Sequence, residues 1–305
     1  MLSEAAFDRA LGLATEPPPH DAQAAFAARA ALVLGGLLSV ASVVFFVAHN
    51  WEGLSRWARF GALELGLVAF AAAAWRAKGQ LTRQVALSLC AALLGPLLAV
   101  YGQTYQTGAD PYELFLTWAL LAAPIAALSR FMPLWLGVWA LVNVSAALFC
   151  EQLRPFDADP FAYGGVLLAA LNTLGLGAYE LVSRRTDWLG ERTSWFHRAL
   201  AAAIVLPALP VACWYLAGGS WWHAHGWGPA AAAVVAGAGV TLAVAYRRDS
   251  FVRSAVAFCA IGLATAFAGR WLHRHVHEAF AWGLMGLFVV AELAAAMSLI
   301  RRAAR

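Results

Sequence analysis

Apolar residues run in blocks of about 18 to 22 along most of this chain. Gly, Pro and charged clusters punctuate them. Within each block the apolar positions are continuous rather than alternating. At that length a helix crosses a hydrocarbon layer of about 30 Å. Ten spans are predicted, at 28–48, 57–75, 84–101, 111–129, 132–150, 161–182, 199–217, 229–246, 251–270 and 279–300. The expected fold is all-α, a polytopic integral membrane helix bundle. Residues 1–27 read as a short cytoplasmic or interfacial helical segment. In it Ser3 caps a helix through Leu13, Pro17-Pro18-Pro19 stops that helix, and Asp21 caps the next, which enters the first span. Glu4, Asp8, Glu16 and Asp21 occupy the place of a basic leader region, so the first span is expected to stay as an uncleaved anchor.

Composition agrees with this pattern. The chain has 305 residues, of which 62% are hydrophobic and 12% charged, against about 25% charged in a soluble domain. A sequence pI near 9.1 then says little about nucleic acid, and placement of the charges matters more. With ten spans, Arg9, Arg29, Arg76, Lys78, Arg83, Arg130, Arg184, Arg185, Arg192, Arg198, Arg247, Arg248, Arg253, Arg301, Arg302 and Arg305 share one side. Only Arg56, Arg59, Arg154, Arg270 and Arg274 share the other. The positive-inside rule puts the first side, and with it both termini, in the cytoplasm. Trp51, Trp57, Trp221, Trp222, Trp227, Trp271 and Trp282 fall at the outer face, and Trp75, Trp135, Trp188 and Trp195 at the inner, as aromatic belts. Cys90, Cys150, Cys213 and Cys259 lie in or at the ends of apolar runs without ligand spacing and read as small apolar side chains.

Three short motifs occur in order: Asn50-Trp51 with Arg59, then Gly102-Gln103 with Tyr105-Gln106, then Trp118. This set, over residues 27–150, resembles the bacterial predicted membrane proteins grouped as domain of unknown function 2157. The resemblance implies a bacterial inner membrane and supplies no activity or catalytic residue. It divides the membrane region into 28–150, a five-helix part resembling that family, and 151–305, a second five-helix part. Two five-helix halves would suit an inverted repeat, but no convincing motif recurs between them.

Four groups of residues could carry chemistry. The first is YGQTYQTGADPYE, 101–113. Its end is a helix start, with Asp110 as N-cap, Pro111 at N1 and Glu113 at N3. Gln103, Thr104, Tyr105, Gln106 and Thr107 remain at the outer boundary, between spans bearing Pro96 and Pro124. They are expected to cap their own helix or to rim a cavity for a polar, weakly charged ligand, with Asn50 and Arg59. The second group is Glu64 and Glu292, each near mid-span. A charge there costs at least about 2.5 to 3.5 kcal/mol, so each is a candidate for proton or ion coupling or for a neutral interhelical hydrogen bond. Arg59, Asn143 and Asn172 are possible partners. The third is histidine: His273 and His277 share a helical face, and His223 with His225 could complete a zinc or copper site, against the alternative of a hydrated turn. No other cofactor is implied. The fourth is the outer cations Arg56, Arg59, Arg270 and Arg274, suited to lipid phosphate, an anionic ligand or a carboxylate such as Glu52.

No phosphate-binding Gly-rich loop, nucleophile elbow, HExxH or paired-cysteine motif occurs, which argues against an ATPase, a serine hydrolase or a zincin. The leading expectation is a transporter-like or small-ligand-binding bundle with an outward-facing polar cavity. A non-catalytic envelope scaffold or assembly partner is the first alternative. A metal-assisted membrane enzyme acting on envelope lipid or glycan is the second. Expected partners are membrane lipids and other envelope membrane proteins, not nucleic acid.

Overall fold

A computed structural model describes residues 20–153, 160–186, 194–217, 249–275 and 288–291. Among these residues there is no strand. The helices are α1 (His20–His49), α2 (Arg56–Arg76), α3 (Gln80–Tyr105), α4 (Pro111–Ser129), α5 (Met132–Leu153), α6 (Pro160–Val182), α7 (Ser194–Ala217) and α8 (Ser250–His275). All eight contain a stretch long and apolar enough to cross a membrane. They correspond to eight of the ten expected spans. The span at 229–246, and that at 279–300 apart from helical residues 288–291, lie outside the described residues, as does the Ser3–Leu13 helix.

The chain divides into two compact units, Met1–Gln106 and Thr107–Arg305. The division falls inside the polar stretch YGQTYQTG. In the first unit, α1 and α2 both pack on α3. Val47, Leu63, Leu93 and Val100 form its buried centre, with Val43, Trp51, Phe60 and Leu97 packed around them. Helix α1 starts at His20, so Asp21 sits in its first turn rather than at its N-cap, where it still favours the positive end of the helix dipole. Much of α1 is uncovered: Phe26, Leu34, Leu38 and Phe45 are all at least 60% exposed. Water would not tolerate such a surface, whereas lipid tails do.

In the second unit, α4 packs on α5, α5 on α6, α6 on α7, and α7 on α8. Its core joins Met132, Leu176, Tyr179, Phe196, Leu200, Ile204 and Val252. Close approach depends on glycines. A Cβ on Gly175 of α6 would enter the Trp139 ring of α5, and one on Gly165 would lie 2.9 Å from the Pro207 carbonyl of α7. Small residues at such contacts are how membrane helices gain van der Waals packing when lipid offers no hydrophobic drive between them.

Candidate functional site

Helix α1 ends where Asn50 turns back, its Nδ2 donating to the Phe46 carbonyl at 2.8 Å. Ser55 caps α2, its hydroxyl accepting from Ala58 N–H at 3.3 Å. The short corner between them brings Arg59, one turn into α2, onto Trp51. The guanidinium lies over the indole, 3.8 Å from the ring centroid, and Nη2 donates to the Trp51 carbonyl. Arg59 is therefore held by a cation–π contact and a hydrogen bond. Of the partners expected for it, the carboxylate Glu52 is not used, because the nearby Trp51 carbonyl and ring take the guanidinium. Among the described residues Arg59 forms no ion pair, and its buried Nε has no acceptor.

Tyr105, from the last turn of α3, meets the same corner. Its ring centroid is 6.2 Å from Phe60 and 4.9 Å from Tyr101. The stretch expected as a boundary cap or rim is helical through Tyr105: Gly102, Gln103, Thr104 and Tyr105 form the end of α3. Gln106 closes the helix in the left-handed region, φ 47° and ψ 49°, its N–H bonding the Gly102 carbonyl. A non-glycine residue in that conformation costs free energy, of order 1 kcal/mol. Gln103 and Gln106 are exposed. Thr104 carries a buried hydroxyl with no hydrogen-bond partner among the described residues. A helical threonine usually satisfies its hydroxyl on the carbonyl four residues back, so this orphan is unusual. Asn50, Trp51, Arg59, Thr104 and Tyr105 thus stand at one end of the first unit, from the corner after α1, the start of α2 and the end of α3.

The remainder of the 101–113 stretch has a structural job. Asp110 and Glu113 form the expected capping box, with Glu113 Oε2 accepting from Asp110 N–H at 3.1 Å. The Asp110 carboxylate also accepts from the Gln152 amide.

Glu64 lies mid-way along α2, exposed, between buried Leu63 and exposed Leu65, with no ion pair or hydrogen bond among the described residues. It does not pair with Arg59. Asn143 and Asn172 pair with each other instead: Asn172 Nδ2 donates to Asn143 Oδ1 at 2.6 Å, and Asn143 Nδ2 to Asn172 Oδ1 at 3.2 Å. Glu292, His223, His225 and His277 lie outside the described residues, as does the His273 side chain.

A second polar node was not foreseen. Asp249 precedes α8, and its Oδ1 accepts the N–H groups of Phe251 (2.9 Å) and Val252 (3.2 Å), an N-cap. Its Oδ2 accepts from His197 Nε2 at 3.1 Å and Arg198 Nε at 3.0 Å, both from the first turns of α7. Burial alone would raise the Asp249 pKa. The hydrogen bonds from His197, Arg198 and Val252 N–H outweigh it and hold the carboxyl at about 2. The sequence RRDSF, Asp-Ser before an apolar run, carries a legible cap signal. Nothing local reveals partners more than fifty residues away.

Comparison with known proteins adds one match. Residues 1–135 match the model of the family described as "Predicted membrane protein (DUF2157)". That range contains Asn50, Trp51, Arg59, Gln103, Tyr105, Gln106 and Trp118 of the expected motifs. No curated protein and no solved structure matches the chain. The protein is a membrane protein with several candidate spans, and the match carries no activity.

Proposed function

We propose that this chain is a multi-pass protein of a bacterial inner membrane, with both termini in the cytoplasm, that binds a small or amphipathic ligand at the outer end of its first unit. The observation that carries this reading is the meeting of three helix ends at one place, with Arg59 pinned on Trp51, its neighbour Phe60 against Tyr105, and Arg59 without a carboxylate partner among the described residues. A positioned cation with aromatic walls is what a binding site needs and what a plain helix corner does not. Asn50 holds the corner, and Gln103 and Gln106 stand exposed at the edge as adaptable amides. Glu64, on the same helix as Arg59, is the candidate for coupling binding to a proton or ion, since an exposed mid-span carboxyl is seldom idle.

The test is native mass spectrometry of the full chain extracted in a mild neutral surfactant. A ligand retained one per chain, and lost in Tyr105→Ala and Asn50→Ala with folding preserved, is expected. Retention that neither substitution alters would remove the site from this corner.

A further inference from the structure

Resting on that reading, we infer that the ligand presents an oxyanion to Arg59, carried as the phosphate of an amphiphile. The guanidinium offers five donors in a fixed fork. One edge is used on the Trp51 carbonyl and one face on the Trp51 ring. Its buried Nε meets no acceptor among the described residues, and no ion pair forms there. Thr104, at the end of α3, leaves a second donor without an acceptor. Arg56, one turn earlier on α2, lies over the Trp57 ring at 5.1 Å from its centroid and brings a second cation to the same helix end. Glu52 is the carboxylate of that loop, and it is exposed without forming an ion pair among the described residues.

Two cations and two donors without acceptors call for an acceptor-rich anion. A helix end at headgroup depth, beside exposed Phe45, Phe46 and Trp57, favours an anion that also carries apolar chains. Phosphate is the oxyanion abundant at that depth, and arginine binds it in a bidentate fork. The lost hydrogen bonds of the Arg59 edge are then restored by ligand rather than by protein.

The test uses full-length protein in neutral surfactant micelles, titrated separately with phosphatidylglycerol, diacylglycerol and inorganic phosphate, and read by native mass spectrometry. One phosphatidylglycerol per chain is expected to bind at least tenfold more tightly than diacylglycerol. Arg59→Gln is expected to weaken it about tenfold or more, the loss typical of a charge-assisted hydrogen bond. Arg59→Lys, which keeps the charge, serves as the folding control and should keep an intermediate affinity. Stoichiometric inorganic phosphate that also depends on Arg59 would support the oxyanion site and make free phosphate its source. Phosphatidylglycerol binding unchanged in Arg59→Gln would overturn the inference. Diacylglycerol bound as tightly as phosphatidylglycerol, independent of Arg59 but lost in Tyr105→Ala, would overturn it while leaving the corner as a binding site. No retention of any of the three would overturn both.

Discussion

Asn172 of α6 and Asn143 of α5 exchange amide hydrogen bonds across two adjacent membrane helices, and Asn172 is completely buried. Every hydrogen-bonding site on Asn172 is used. Oδ1 also accepts from Trp139 Nε1 at 2.7 Å, and Nδ2 also donates to the Leu168 carbonyl at 2.8 Å. A buried amide in hydrocarbon is costly unless satisfied in this way.

Removing one member should therefore hurt more than removing both. Asn172→Leu leaves the Trp139 indole N–H and Asn143 Oδ1 unpaired, while Asn143 Nδ2 keeps the Trp139 carbonyl, and is expected to cost about 1–3 kcal/mol. The Asn143–Asn172 coupling itself should be smaller, about 0.5–1.5 kcal/mol, as interhelical hydrogen bonds in membranes generally are. A double-mutant cycle on unfolding in mixed micelles measures both numbers. Full additivity would mean the pair does not hold α5 to α6.

Gly175 supplies a steric counterpart. A methyl group there would occupy the rigid Trp139 ring, which cannot yield without breaking its bond to Asn172. Gly175→Ala is expected to destabilise by about 1–3 kcal/mol. Gly35→Ala, with nothing within 4 Å of the new carbon, should be neutral or slightly stabilising. Thermal denaturation of the two variants in the same surfactant makes the comparison, and equal melting points would contradict the packing described.

Asp249 ties stability to acid. Its folded-state carboxyl lies at about 2, below the ordinary 3.8, so the native state favours the ionised form. The stabilisation is complete above about pH 4 and is lost as pH falls toward 2. The difference corresponds to about 1–2 kcal/mol after allowance for solvent screening. Asp249→Asn keeps a cap oxygen but loses the pairs to His197 and Arg198, so its stability should vary less over that window. Parallel denaturation curves for both proteins between about pH 5 and about pH 2 check the sign.

Glu64 presents a carboxyl on the exposed face of α2 beside exposed Leu65 and Val68. An apolar carbodiimide, which partitions into the hydrocarbon layer, is expected to label it, whereas a charged carbodiimide is not. Peptide mapping should place the adduct on Glu64 and find none in Glu64→Gln. Labelling only from the aqueous phase would move Glu64 out of the membrane interior.

Sequence alone determined the helical class, the positions of the eight described spans and the Asp110-Pro111-Glu113 helix start. These are local matters: in hydrocarbon the backbone must satisfy its own hydrogen bonds within each apolar run, and a cap is written within four residues. It also marked Asn50, Trp51, Arg59 and Tyr105, though as separate motifs. Only the tertiary structure decided that Arg59 turns to Trp51 rather than Glu52. It likewise decided that Asn143 meets Asn172 rather than Glu64, and that Asp249 binds the start of α7. Each choice depends on how helices rotate and approach one another. That is set by side-chain volume along whole interfaces, such as the gap Gly175 leaves for Trp139, and no local spacing encodes it.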